Sequence, residues 1–349
     1  MKTRLALLLS LVVIPSAPAS DEAMIYLVRG DGRGDAALWK AASSGAIELV
    51  QPSFGAGYVA GLFNDVPVVS PDGKLLVVAK SGDLWIRDLA TSAERRITEA
   101  ARPDDGHYAE VRIEVRAWSP RGDQLLYEIV RPDRFPRAGC GEGPASIVRE
   151  APYGLFLYDL KSRASRPVPL PGEFAVWLSN QELAATTGGP RRFASPYIRM
   201  KLGSSEQRPL PFPTDRFCGQ LAPAPDGSWL LASCYWDQKG QLMEMSLRDG
   251  HLRSITAEGD FAEFQWPTFS PTGRRIAWIQ QVRPPWDRPL GKLIVDSKPV
   301  FASEDVAFSV GGYRWIDNET ILCTSAKDLF VVDVSTGEVK GTAHTATGP

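Results

Sequence analysis

The sequence predicts an all-β fold, a β-propeller of four-stranded antiparallel blades, and three observations predict it. A Ser-Pro-Asp-Gly type of signature recurs at a regular spacing. Each copy is flanked by short apolar runs of strand length. The 31 Gly and 28 Pro are spread along all 349 residues, as many short strands joined by tight turns require and long helices would not tolerate.

The clearest unit runs Val68-Val69-Ser70-Pro71-Asp72-Gly73 into Lys74 to Ala79, then Asp83 to Leu89, then Arg95 to Thr98. The same grammar returns at Ala117-Trp118-Ser119-Pro120-Arg121-Gly122, with Gln124 to Val130 and Gly154 to Leu160 behind it. It returns at Ala224-Pro225-Asp226-Gly227, followed by Trp229 to Cys234 and Gln241 to Leu247. It returns again at Thr268-Phe269-Ser270-Pro271-Thr272-Gly273, followed by Arg275 to Ile279. Two copies are eroded, Val176-Trp177-Leu178-Ser179-Asn180 and Tyr313-Arg314-Trp315-Ile316-Asp317-Asn318. The prolines at 71, 120, 225 and 271 are 49, 105 and 46 residues apart, and the long gap holds the Trp177 copy. A period in the forties fits one blade of about 40–50 residues.

The signature has a physical reason. Proline presets φ at the second turn position, Asp bonds the local backbone, and Gly accepts positive φ. The apolar run before the turn is the innermost strand of a blade and the run after it is the second strand. A third strand ending in Asp-Leu and a short polar outer strand complete the unit. Such a blade is apolar on both faces and needs neighbours on both sides.

These residues resemble the TolB-type, WD-like propeller repeats, from residue 24 to about 340. The resemblance is specific for fold and says little about function. It implies one domain over residues 20–349, without the α/β domain that precedes the propeller in TolB. Similar propellers precede the catalytic domain of prolyl-oligopeptidase-type enzymes, and no such domain is expected before the last residue, Pro349. Met24 to Val28, Leu38 to Ala41 and Ile47 to Val50 read as three strands lacking an inner strand. Rings of this family often take that strand from the C-terminus. Six units follow, which suggests seven blades. A six-bladed ring is the alternative, because the tail after Lys340 is short and polar for an inner strand.

The first 19 residues read as a secretory signal peptide. Lys2 and Arg4 precede the apolar run Leu5 to Ile14, and Ala17-Pro18-Ala19 offers a small-residue cleavage site. A run of ten residues is well short of the ~20 that span a bilayer. The expected product is periplasmic or secreted, with no membrane span. The 39 basic and 41 acidic residues leave a net charge of −2, which argues against a nucleic-acid partner.

Loops on the face opposite the Ser-Pro-Asp-Gly turns are the longest and richest. Arg131 to Pro152 carries Arg134, Phe135 and Arg137; Gln281 to Lys292 carries Trp286 and Arg288; Tyr235 to Gln238 carries Trp236. Phe54 to Asp65 and the stretch with His107 and Tyr108 join them. Trp, Tyr and Arg are the usual anchors of a protein interface, so these eight side chains are the candidate binding residues for a protein or peptide partner. The bland alternative is that the loops only pack over the mouth of the ring.

Catalytic residues are not indicated. There is no Gly-x-Ser-x-Gly, and of three histidines His251 opens an outer strand, His344 lies in the tail, and only His107 sits on the rich face. A metal-assisted hydrolytic, lactonase-like site is the alternative. Asp65, Asp104, Asp105 and Asp287 are its available oxygen ligands, but their spacing fixes no site. No cofactor is implied, and the oligomeric state is not specified. A structural role in an envelope assembly is a third possibility. Arg33-Gly34-Asp35 reads as a turn, and Asn318-Glu319-Thr320 matters as a sequon only in a host that glycosylates it.

Four cysteines would reach an oxidising compartment. Cys218 and Cys234 each lie eight residues from Asp226, nearly opposite on one hairpin, and are the disulfide candidate. Two buried free thiols, or Cys140 reaching Cys218, are the alternatives.

Overall fold

The computed structural model describes residues 22–30, 36–53, 68–80, 83–99, 112–130, 153–170, 175–186, 197–213, 215–237, 239–260, 262–282, 290–303, 313–324 and 328–344. The candidate leader at residues 1–19 and the Arg33-Gly34-Asp35 turn lie outside them.

The chain forms seven antiparallel sheets in sequence order, the blades of a β-propeller. Blades 2 to 7 each have an inner, second, third and outer strand, in chain order. Blade 5 adds a two-residue strand, Gly259–Asp260, beside its third strand. Among the described residues there is no helix.

The turn chemistry explains the regularity. At each intact signature the glycine N–H closes the turn, with Gly73 donating to Ser70 O at 2.9 Å and Gly122 to Ser119 O at 2.8 Å. These glycines have φ of +70° and +74°, a conformation open to residues without a Cβ. The Asp72 carboxylate accepts the Ser70 hydroxyl at 2.6 Å, and the same hydroxyl oxygen accepts the Leu75 N–H at 2.9 Å. The eroded copies do something different. Asn180 Oδ1 accepts the Arg121 N–H of blade 3 at 2.8 Å. Asn318 Oδ1 accepts the Thr272 N–H and hydroxyl of blade 6 at 3.1 and 2.7 Å. Each adds a clip onto the preceding blade, while the turn keeps bonds of its own, such as Gln181 N–H to Ser179 Oγ at 3.2 Å and Glu319 N–H to Asp317 Oδ1 at 2.8 Å.

Blade 1 contains Met24–Gly30, Ala36–Ala42 and Ile47–Gln51. One recurrent bond identifies these as second, third and outer strands. The residue after a third strand donates its N–H to the carbonyl just before the second strand: Leu89 to Lys74, Leu160 to Asp123, Leu202 to Gln181, Leu247 to Ser228, Val334 to Glu319. In blade 1 the equivalent bond is Ser43 to Ala23, at 3.0 Å. Among the described residues, blade 1 therefore begins at its second strand. The C-terminal strand Val339–His344 is the outer strand of blade 7, paired with Asp328–Asp333. Among the described residues no C-terminal strand is lent to blade 1, and His344 ends this outer strand with Nδ1 2.5 Å from Asp328 Oδ1.

The ring closes between blades 7 and 1. Ile25, Leu27 and Ala41 pack with Ile316, Leu322, Leu329 and Val331. The Gly45 turn of blade 1 lies so close to blade 7 that a Cβ there would stand 2.6 Å from Lys340 O. Near the central axis the inner strands of blades 3 to 6 all carry register shifts, since a strand at the crowded hub must bend.

Candidate functional site

Seven of the eight predicted binding residues, Arg134, Phe135, Arg137, Trp286, Arg288, His107 and Tyr108, lie outside the described residues, as do Asp65, Asp104, Asp105, Asp287 and Cys140. Trp236 is described, and the site is built around it.

The second strand of blade 5, Trp229–Trp236, leaves the Asp226-Gly227 turn and therefore ends on the opposite face. The inner strand, Phe217–Pro223, starts on that face. Their register pairs Cys218 with Cys234 and Phe217 with Tyr235. One step further out, Arg216 meets Trp236, its guanidinium carbon 3.9 Å from the indole centroid.

Arg216 is held from two other directions. Asp215 accepts from its Nε at 3.2 Å and from Nη2 at 3.3 Å. Gln241 Oε1 accepts from Nη1 at 3.4 Å, while Gln241 Nε2 donates to Thr256 O at 3.2 Å. The hydrogen bond from Arg216 holds the Asp215 carboxyl below the usual carboxylate range. The Arg216 side chain keeps 17% of its surface and Asp215 67%, so the cation–aromatic pair is partly covered and Asp215 is the exposed member beside it.

The scaffold under this pair is stiff. Cys218 and Cys234 form a disulfide. The buried Tyr197 hydroxyl of blade 4 donates to Cys218 O, and burial pushes its pKa well above the usual phenol range. The Tyr235 hydroxyl donates to Phe264 O of blade 6 at 2.5 Å. Gln220 Oε1 accepts the Trp266 N–H at 2.7 Å, and both residues sit at inner-strand bulges with positive φ.

A second polar cluster lies on blade 3. Glu114 and Glu128 stand opposite each other on the inner and second strands and are each 2% exposed. Like charges so placed repel. Arg116 lies between them, with Nη2 2.8 Å from Glu114 Oε2 and bonded also to Glu128. Among the described residues no group of three or more His, Cys, Asp or Glu is placed to hold a metal ion.

Sequence reasoning singled out Trp236 but missed Arg216, Asp215 and Gln241. The signal was present in the cysteines: if 218 opposes 234, then 216 opposes 236.

No family model matches the sequence, and no curated protein matches it. Solved structures do match. An oligogalacturonate lyase in complex with manganese superposes with a TM-score of 0.60 at 14% identity, over 86% of this chain and 82% of that one. A puromycin-hydrolysing peptidase from Mycobacterium tuberculosis gives 0.59 at 14% identity, over 94% of this chain and 52% of that one, so this chain spans about half of the peptidase. TolB from Acinetobacter baumannii gives 0.49 at 16% identity, over 78% of this chain and 61% of that one. The lyase and peptidase likenesses establish the β-propeller fold.

Proposed function

We propose that the chain is an exported β-propeller that binds a protein or peptide partner of the cell envelope through the face opposite its Ser-Pro-Asp-Gly turns. One observation carries this reading, the stack of Arg216 on Trp236. Both residue types are enriched at interface hot spots, where a rigid aromatic loses little conformational entropy on contact. The disulfide and the tyrosine clamps fix the stack before a partner arrives, which lowers the cost of binding. The apolar leader at Leu5 to Ile14 supports export. The test is affinity capture from an envelope extract of the native host, comparing residues 20–349 with Trp236→Ala. A partner held by the first and lost by the second supports the reading. No partner on either bait contradicts it.

A second reading, a propeller enzyme with a metal-assisted hydrolytic site, draws on the opposed carboxylates of Glu114 and Glu128. Arg116 already neutralises part of their charge, which weighs against a cation there. Metal analysis of the purified chain decides: a stoichiometric divalent ion lost in Glu128→Gln supports this reading, and its absence removes it.

A further inference from the structure

Arg199 has more hydrogen-bonding capacity than the fold uses. It lies on the third strand of blade 4, Tyr197–Lys201, two residues after Tyr197 and so on the same face. That face turns towards blade 5, where the Tyr197 hydroxyl reaches Cys218 O and Arg199 Nη1 donates to Leu247 O at 2.9 Å. A guanidinium carries five N–H donors in a fixed fork. Among the described residues the bond to Leu247 is the one hydrogen bond Arg199 makes; Glu182 Oε1 stands 3.8 Å from Nε, beyond hydrogen-bond range. The side chain keeps 24% of its surface, so it is covered but not sealed.

Arg199 lines a cleft of about 290 Å³ between blades 4 and 5. One wall is the turn Arg248-Asp249-Gly250, which joins the third and outer strands of blade 5. This turn packs closely on blade 4: a Cβ at Gly250 would stand 2.9 Å from Pro211 Cγ. Pro209 and Pro211 make the opposite wall and are exposed, while Met245 and Leu247 are buried beneath. The volume is near the lower end of small-molecule pockets, about 300 Å³, and an apolar wall with a few placed polar groups is their usual composition. The charged side chains of the lining are two cations, Arg199 and Arg248, and one anion, Asp249, a net charge of +1. Asp249 is itself engaged, accepting the His251 N–H at 3.0 Å.

We infer that this cleft binds a small monocarboxylate with an apolar body, the carboxylate on the unused donors of Arg199 and the body against Pro209 and Pro211. A planar guanidinium fork matches a carboxylate through two parallel hydrogen bonds. One net positive charge suits a monoanion, whereas a dianionic phosphate would meet Asp249 in the lining and Glu182 beside Arg199. The cleft lies past the end of the blade 5 third strand that is remote from Trp236, since Trp236 pairs with Lys239 and Trp229 with Ser246. The inference goes beyond the partner reading and does not depend on it.

The test is methyl NMR on residues 20–349 labelled at the methionine methyls, because Met245 lines the cleft; Met245→Leu assigns its resonance. Benzoate and hexanoate are the probes, benzamide is the uncharged match and phenyl phosphate the dianion. Both acids are expected to shift the Met245 resonance saturably. Benzamide and phenyl phosphate should bind roughly tenfold more weakly, the size of one charge-assisted hydrogen bond. Arg199→Lys keeps a charge near Leu247 O but loses the fork, and should weaken both acids by about the same factor at an unchanged melting temperature. Pro209→Trp, at the exposed wall, leaves Arg199 in place and should block both acids, which keeps the inference testable if Arg199→Lys fails to fold. Four results would overturn it: no Met245 shift with either acid, benzamide or phenyl phosphate binding as well as benzoate, full binding to a folded Arg199→Lys, or full binding to Pro209→Trp.

Discussion

Arg216 and Trp236 face each other across the open end of the blade 5 hairpin, 3.9 Å from guanidinium carbon to ring centroid, two residues beyond a disulfide on each strand. The strand register that pairs Cys218 with Cys234 also brings Arg216 opposite Trp236.

Truncating this pair should separate binding from folding. Trp236→Ala is expected to weaken the captured partner by about 2 kcal/mol, roughly thirtyfold, the size of an interface hot spot. Surface plasmon resonance measures that loss. Thermal unfolding of the same variant should change little, because Trp236 is only partly buried.

The disulfide should be both closed and stabilising. Alkylation in denaturant without reductant should leave Cys218 and Cys234 unlabelled and modify the buried free thiol Cys323. Replacing both bridged cysteines by Ala opens a loop of 16 residues, which in the chain-entropy account costs about 3 kcal/mol. Guanidinium denaturation reads this as a lower midpoint.

The eroded turns should matter although their signature is lost. Asn318→Ala removes the acceptor of two bonds from Thr272. A loss of about 1 kcal/mol is expected at this partly exposed site, again read by denaturant midpoint. Asn318→Asp keeps an acceptor and should recover most of it.

Acid should destabilise the ring through its turns. The Lys340 ammonium, 3.0 Å away, and the backbone N–H groups of Thr336 and Ser335 hold Asp333 at about 2, against an ordinary 3.8. Backbone N–H groups of Thr91 and Ser162 likewise lower Asp88 and Asp159. A carboxyl depressed by folding stabilises fully above its unfolded pKa and loses that contribution as pH falls through its folded value. The melting temperature should therefore drop between pH 4 and pH 2. Asp333→Asn should start lower at pH 7 and fall less.

The repeat made the fold legible because its residues are chosen by local backbone chemistry. Gly73, Gly122, Gly227 and Gly273 all take the positive φ that the turn demands. The opposition of Cys218 and Cys234 was readable for the same reason, since equal distances from a turn imply pairing. Asn180 and Asn318 looked like decay in sequence, because their bonds reach another blade. Arg216 was missed because a cation–aromatic stack depends on register at a hairpin end. Arg199 was missed because the cleft it lines is completed by the next blade, which no local pattern shows. The tail after Lys340 was rightly unsuited to the hub through His344; its polar residues suit an outer strand at the rim.

A partner on the Trp236 face would lie within crosslinking reach of position 236. The most direct measurement places a photo-crosslinking amino acid at position 236 in the native host and, for comparison, at Lys74, which is exposed on the turn face. A discrete crosslinked species is expected from position 236 and none from position 74. No adduct from 236, or the same adducts from both, would contradict a partner on this face.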